Sequence, residues 1–299
     1  MPMKRDAKAR VIDWLLVALM VLPFVLSMTL KVLLKPAGEG ISITGAQVYF
    51  TIPMPVMDLP ITESQVNSLM VVLSILGLCL YLTHGISVAP HSKRQIVAEW
   101  IVEKVQNLVN SNMGAYFSAF APFIAGIMFI SAFSSLSSLL GLFPPTSDMN
   151  IVAGWAILVF VLITHYKLKG GLLPYVKGFF EPVFIFAPFN IIGEVATPVS
   201  MSFRHYGNVL SGMVISTLVA YALQTLSHKL LGWLPGVLGQ FPFLQVGLPA
   251  ILSLYFDIFS GLMQAFIFAL LTTIYISTGF PQEEYERRKA KRKKALHTA

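Results

Sequence analysis

The residues with chemical potential in this chain are few, and they lie close together in sequence. Arg204, Asn208 and Ser211 follow i, i+4, i+7 spacing, so on a helix they share one face, and Ser200 extends that face backwards by a turn. Glu194 precedes the arginine in the same stretch, "GEVATPVSMSFRHYGNVLSGMVISTLVAYAL". Further on, Asp257, Gly261 and Gln264 share a second face by the same rule. Both stretches are otherwise apolar enough to be membrane helices. An arginine at the centre of a bilayer costs roughly 3 kcal/mol on insertion scales, and it does not escape that cost by losing its proton. It therefore needs a carboxylate, a water-filled cavity, or both. Two readings stand. In one, Arg204 is paired statically with Glu194 or Asp257. In the other, the two polar stripes line a pathway and face each other or a partner. Gly212 and Gly261 would let another helix approach closely.

The whole chain suits a lipid setting. It has 299 residues, of which 56% are hydrophobic and only 12% charged, with a mean hydropathy of +0.73. Soluble domains carry about a quarter charged residues. The apolar residues form runs long enough to cross a bilayer of roughly 30 Å. Six spans are expected, at about 12–34, 66–86, 117–143, 151–166, 187–226 and 244–278. The first run has a basic start that fits an anchor or a signal peptide. Its length, and the lack of a small-x-small cleavage site close behind it, favour the anchor. The last two runs exceed one perpendicular crossing, so they must tilt or bend along a partner. Between the first two spans, residues 35–65 form a polar extracytoplasmic segment whose alternation, in "ISITGAQVYFTIPMP", predicts a short strand pair.

"SKRQIVAEWIVEKVQNLVNSNMGAY" is different. Ile96, Trp100, Ile101, Val105, Leu108 and Val109 recur at helical spacing, and the charged residues fall largely elsewhere, which describes an amphipathic helix lying at the membrane surface. The loop "KLKGGLLPYVKGFFEP" has room for another interfacial segment. The fold class is thus an all-α membrane protein with about six spans and an interfacial helix. Its organisation is an anchor span at 1–34, the extracytoplasmic segment at 35–65, a membrane domain at 66–280 and a basic tail at 281–299.

Charge sets the orientation. The net charge is +7, but nucleic-acid binding is the wrong inference, because the basic clusters alternate with apolar spans. With the N-terminus inside, the inner segments hold 17 of the 21 Lys+Arg, and the outer ones hold only Lys31, Lys35 and Lys229. Both termini are therefore expected in the cytoplasm. The single cysteine, Cys79, lies inside an apolar run; it permits no internal disulfide, suggests no metal site, and reads as a buried apolar thiol. No cofactor is expected.

At the arginine stretch the sequence resembles a known family. "EVATPVSMSFRHYGNVLSG" is similar to the signature of the a subunit of F-type rotary ATP synthases of the bacterial type: an acid, a Pro-x-Ser pair, then Arg followed by Gly-Asn. Here these are Glu194, Pro198, Ser200, Arg204, Gly207 and Asn208. "LMQAFIFALLTTIYIS" resembles the family's last helix, whose Gln matches Gln264. "APHSKRQIVAEWIVEKVQNLVNSNMG" resembles its interfacial helix through Pro90, Gln95 and Glu99, and "LLGLFPPTSDMN" resembles its short outer loop. The resemblance covers about residues 60–280. It implies a non-catalytic subunit in the bacterial plasma membrane, with the ATP chemistry on other subunits. It also implies a stator packed against a ring of c subunits, held with b-type peripheral stalk subunits, and carrying two offset aqueous half-channels. The two long last helices would then form a tilted hairpin against the rotor. Arg204 would pair with ring carboxylates in turn, with Asn208, Gln264, Asp257, Glu194, Ser200 and Ser211 along the proton's route or facing the rotor.

The sequence departs from the family in three places. Many members carry an acid or histidine nine residues after the Arg, where this chain has Met213; Asp257 is therefore the residue expected to serve the outer half-channel. His205 replaces an aliphatic residue, and either a relay or a packing role would account for it. The N-terminal span is additional to the commonest pattern. Glu194 fits either an inner half-channel or a simple electrostatic preference for the start of its helix. The competing reading is a secondary transporter or channel with Arg204 in an anion site. The lack of an internal repeat and the paired motifs weigh against it. A membrane-embedded enzyme would need a constellation such as H-E-x-x-H, which is missing from the sequence.

Overall fold

Apolar runs of membrane length dictate the architecture, because a backbone in lipid must satisfy its own hydrogen bonds. The computed structural model describes residues 7–34, 45–55, 57–88, 92–181, 183–233, 244, 247–283 and 285–287. Pro90, residues 35–44 of the outer segment and residues 288–299 of the basic tail lie outside the described residues. The helices are α1 (Ala7–Leu34), α2 (Glu63–Thr83), α3 (Lys93–Met113), α4 (Ala121–Leu136), α5 (Met149–Leu168), α6 (Leu172–Phe179) and α7 (Ala187–Leu231). The last helix, α8, runs Leu248–Gly279 and contains a π-helical segment, Leu254–Ser260. Six of these helices, all but α3 and α6, are long and apolar enough to cross a membrane. The chain is an all-α membrane protein apart from one small hairpin.

That hairpin is the expected strand pair. β1 (Val48–Ile52) pairs antiparallel with β2 (Leu59–Thr62), and β2 runs directly into α2. The interfacial helix is also present, as α3. Its Gln95, Val105, Val109 and Met113 are buried, and its Ile96 and Trp100 point outward. A second short helix, α6, lies in the "KLKGG" loop with Leu172, Leu173 and Val176 exposed.

The core joins α3, α4, α5, α7 and α8. Val109, Ile124, Val159, Met201, Phe268 and Ile276 meet there, fully or almost fully buried. Close approaches are set by small residues. A Cβ on Gly77 of α2 would sit 2.7 Å from the Met20 backbone nitrogen of α1, so these two helices touch backbone to backbone. A Cβ on Gly212 of α7 would lie 2.9 Å from Phe256, and one on Gly261 of α8 would lie 2.8 Å from the Ser135 side chain of α4. Both glycines allow the close helix contacts expected of them.

The first helix is fastened at both ends. At its start Asp13 pairs with Arg94 of α3 at 2.7 Å. At its end the Lys31 ammonium lies 3.1 Å from Glu63 of α2 and donates to the Gly141 carbonyl at 2.8 Å. Glu63 also accepts from the Phe143 amide. Midway, Ser27 donates to Asn67, and Asn67 donates to the Phe143 carbonyl. The loop at 141–147 is thus held by α1 and α2 together.

Cys79 is a correction: its thiol is exposed on α2 rather than buried. The burial expectation borrows the logic of a water-soluble core. A helix solvated by lipid can turn its apolar groups outward at no cost.

Candidate functional site

The polar stripe on α7 forms as its spacing requires. Ser200, Arg204, Asn208 and Ser211 are all exposed, with Asn208 at the edge of the stripe nearest α8. Their helix is unusual in two respects. It runs 45 residues, about 68 Å at 1.5 Å per residue, more than twice a hydrocarbon core of roughly 30 Å. It must therefore tilt or curve through the bilayer. The most apolar 18-residue window of the span Phe184–Leu231 is also only 6% buried. The core side of α7 is narrow: Met201, Ser202, His205 and Gly212 are buried, and most of the rest is open.

No hydrogen bond or ion pair holds the Arg204 guanidinium among the described residues. The two carboxylates that would have explained it statically are engaged elsewhere. Glu194 pairs with Lys167 of α5 at 2.7 Å and accepts from the Tyr175 hydroxyl of α6 at 3.4 Å. Asp257 accepts a short hydrogen bond from Ser253, one turn earlier on its own helix. The static intrachain pairing of Arg204 is therefore not what the fold contains.

The second stripe does not hold together as α-helical spacing predicts. Gly261 and Gln264 are buried against the bundle, whereas Asp257 is half-exposed within the π-helical segment. The wider π turn changes the angular step between Asp257 and the residues that follow it. Such turns occur frequently at functional sites. Gln264, 2% exposed, reaches across to the first stripe and accepts a hydrogen bond from the Asn208 amide at 2.8 Å. Asn208 is one turn from Arg204, so this bond fixes the arginine's helix against α8.

Glu194 opens onto a cavity of about 850 Å³ between α5, α6, the start of α7 and the end of α8. Lys167, Tyr175, Lys177, Glu181 and Asn190 line it, with Thr278 and Pro281 from the other side. Burial, first, and then the Glu194 charge raise the Tyr175 hydroxyl's pKa above its ordinary value, so Tyr175 remains a hydrogen-bond donor. Pro198 has no amide hydrogen, so the Glu194 carbonyl loses its usual helical donor on the same stretch. Sequence reading missed Lys167 and Tyr175 as partners of Glu194. Lys167 was visible only as part of a basic cluster, and that cluster reads as topology.

His205, beside the arginine, points the other way. It is fully buried, with Nε2 3.2 Å from the Ser131 hydroxyl of α4 and its ring edge-on to Trp155 and Phe268. Met213 is half-buried on α7 and adds no ionisable group there.

Known proteins resemble this chain across most of its length. The sequence model of the family described as ATP synthase A chain matches residues 66–277. ATP synthase subunit a of Bacillus subtilis is 32% identical over 236 residues, covering 73% of this chain and 93% of the relative. The Bacillus pumilus protein of the same name is 31% identical with the same coverage. A protein of Propionigenium modestum named ATP synthase subunit a, sodium ion specific, is 26% identical over 275 residues, covering 81% of this chain and 88% of the relative.

Proposed function

Since this chain belongs to the ATP synthase A chain family, the a subunit of that complex and not one of its catalytic subunits, we propose that it passes protons between two aqueous half-channels and a turning ring of c subunits. Membership makes it an ion-translocating, multi-pass protein of the plasma membrane. One observation carries the mechanism. Arg204 is exposed on an outward stripe, and neither carboxylate of its own neighbourhood answers it.

A permanent cation on an open face calls for an anion supplied from outside the chain. A ring carboxylate facing lipid must be neutral, because an ionised one is very costly to bury. Opposite Arg204 the ionised form is favoured. A carboxylate that arrives protonated is thereby induced to give its proton up, and it takes another before it moves back into lipid. The cation also blocks direct passage between the two half-channels. Each proton crossing about 100 mV supplies roughly 2.3 kcal/mol. The long α7 and the last helix α8 suit a tilted hairpin along a curved rotor. Asn208, Ser200 and Ser211 would face it, and Gln264 would hold Asn208 in place.

The cavity at Glu194 supports the inner half-channel, given the orientation with both termini in the cytoplasm. Asp257, half-exposed on the outer part of α8, supports the outer one. The remaining partners would be b-type peripheral stalk subunits. The deciding experiment is Arg204→Ala in the assembled complex. ATP-driven proton pumping should be lost while the subunit still assembles; normal pumping would defeat the proposal.

A further inference from the structure

We propose that a hydrated polar seam on α4 carries the proton from the outer loop to the depth of Arg204, with His205 as its inner relay; this rests on the reading of the chain as a proton-translocating stator. Ser131, Ser134, Ser135 and Ser138 recur at i, i+3, i+4 and i+7 on α4 and its 3-10 extension, so they line one side of it. At the outer end the Ser135 hydroxyl lies 3.3 Å from the Thr146 hydroxyl of the 141–147 loop. One turn deeper the Ser131 hydroxyl lies 3.2 Å from His205 Nε2. Ser135 packs where a Cβ on Gly261 would be, which sets the seam directly against α8, four residues from Asp257.

Among the described residues, three polar atoms on this seam or in the loop that caps it are buried without a hydrogen-bond partner: the Ser134 hydroxyl, the Ser147 hydroxyl and His205 Nδ1. Their residues are between 0% and 5% exposed. One such atom is a local irregularity. Three along one serine-lined path, within a membrane, call for the partner that buried polar groups most commonly recruit, which is water. Trp155 and Phe268 meet the ring at 87° and 84° and confine it beside Ser131.

The transfer conserves protons without a lasting charge. The Ser131 hydroxyl passes its proton to Nε2 and takes a replacement from the next hydroxyl or water outward. The ring gives its Nδ1 proton to a water on the far side. The ring is left as the other tautomer, which returns in the reorientation step that every hydrogen-bonded proton chain requires. From His205, Asn208 is three residues along the same helix, and its amide already bonds Gln264 beside Arg204's stripe.

The test uses the whole complex in membrane vesicles stripped of its catalytic sector, with proton flux driven by a potassium diffusion potential. His205→Gln keeps a hydrogen-bonding group near Ser131 but cannot relay, and Ser131→Ala removes the hydroxyl. Both should lower flux roughly tenfold or more, and Ser131→Thr should restore it. If His205→Gln impairs assembly, Ser131→Ala alone decides. Unchanged flux in these variants, with Arg204→Ala still blocking pumping, would overturn the seam and leave the stator reading intact. Normal pumping by Arg204→Ala would overturn both. A second measurement reads water directly. In a Cys79→Ser background, Ser134→Cys should make flux sensitive to silver ion, while the background alone stays insensitive. Insensitivity of Ser134→Cys would show the seam to be dry and end the proposal.

Discussion

At the scale of the residue, the arrangement turns on which charges have partners inside the chain. Glu194 and Lys167 neutralise each other at the wall of the 850 Å³ cavity, whereas Arg204 is left outward-facing. Replacing one partner of the first pair leaves the other uncompensated. Glu194→Gln is therefore expected to cut proton flux, and Lys167→Met to cut it as well while leaving Glu194 free to reorient. Flux in stripped vesicles checks both, and normal flux in both would remove the cavity from the inner route. For Asp257→Asn the expected result is a strong loss of flux; if flux is unchanged, the outer route lies elsewhere. The stripe through Arg204 was legible in the sequence because 3.6-residue periodicity survives along α7. The face of Asp257 was not, because a π turn breaks that periodicity and its neighbours give no sign of it. The Lys167–Glu194 pair was equally hidden, since 27 residues separate the partners and no spacing rule reaches that far.

Elements were the most readable level. Runs of about 20 apolar residues admit few alternatives in lipid, so six spans, the strand pair and the interfacial helix α3 were all foreseeable. What the runs did not disclose is how spans pair, because apolar surface does not select a partner in a solvent that is itself apolar. The contact of α1 with α2 is set instead by Gly77, which accepts the Met20 backbone, and by Ser27 with Asn67. Gly77→Leu should therefore separate the helices. The expected cost is about 1–3 kcal/mol of stability, the usual penalty for overpacking. A lowered apparent Tm of the purified complex measures it. An unchanged Tm would mean that α1 contributes little to the fold.

Taken as a whole, the molecule is one-sided. The core joins α3, α4, α5, α7 and α8, yet α7 is left largely bare along its outward side. The proposed ring would cover that side. Purification in mild detergent should therefore recover a small two-helix proteolipid bearing a mid-helix carboxylate, and recovery of the chain without one would count against the ring. Tags at the two ends should both be protected in right-side-out vesicles; reactivity of either from outside would reverse the topology. The fastenings of α1 then take on a mechanical meaning. On the proposed function, a turning ring would drag the chain sideways at every step. Asp13–Arg94 at one end and Lys31–Glu63 at the other tie α1 to both surfaces of the bundle. Cut at both ends, by Asp13→Asn with Lys31→Met, the motor should still turn freely when unloaded but stall under a smaller opposing proton-motive force.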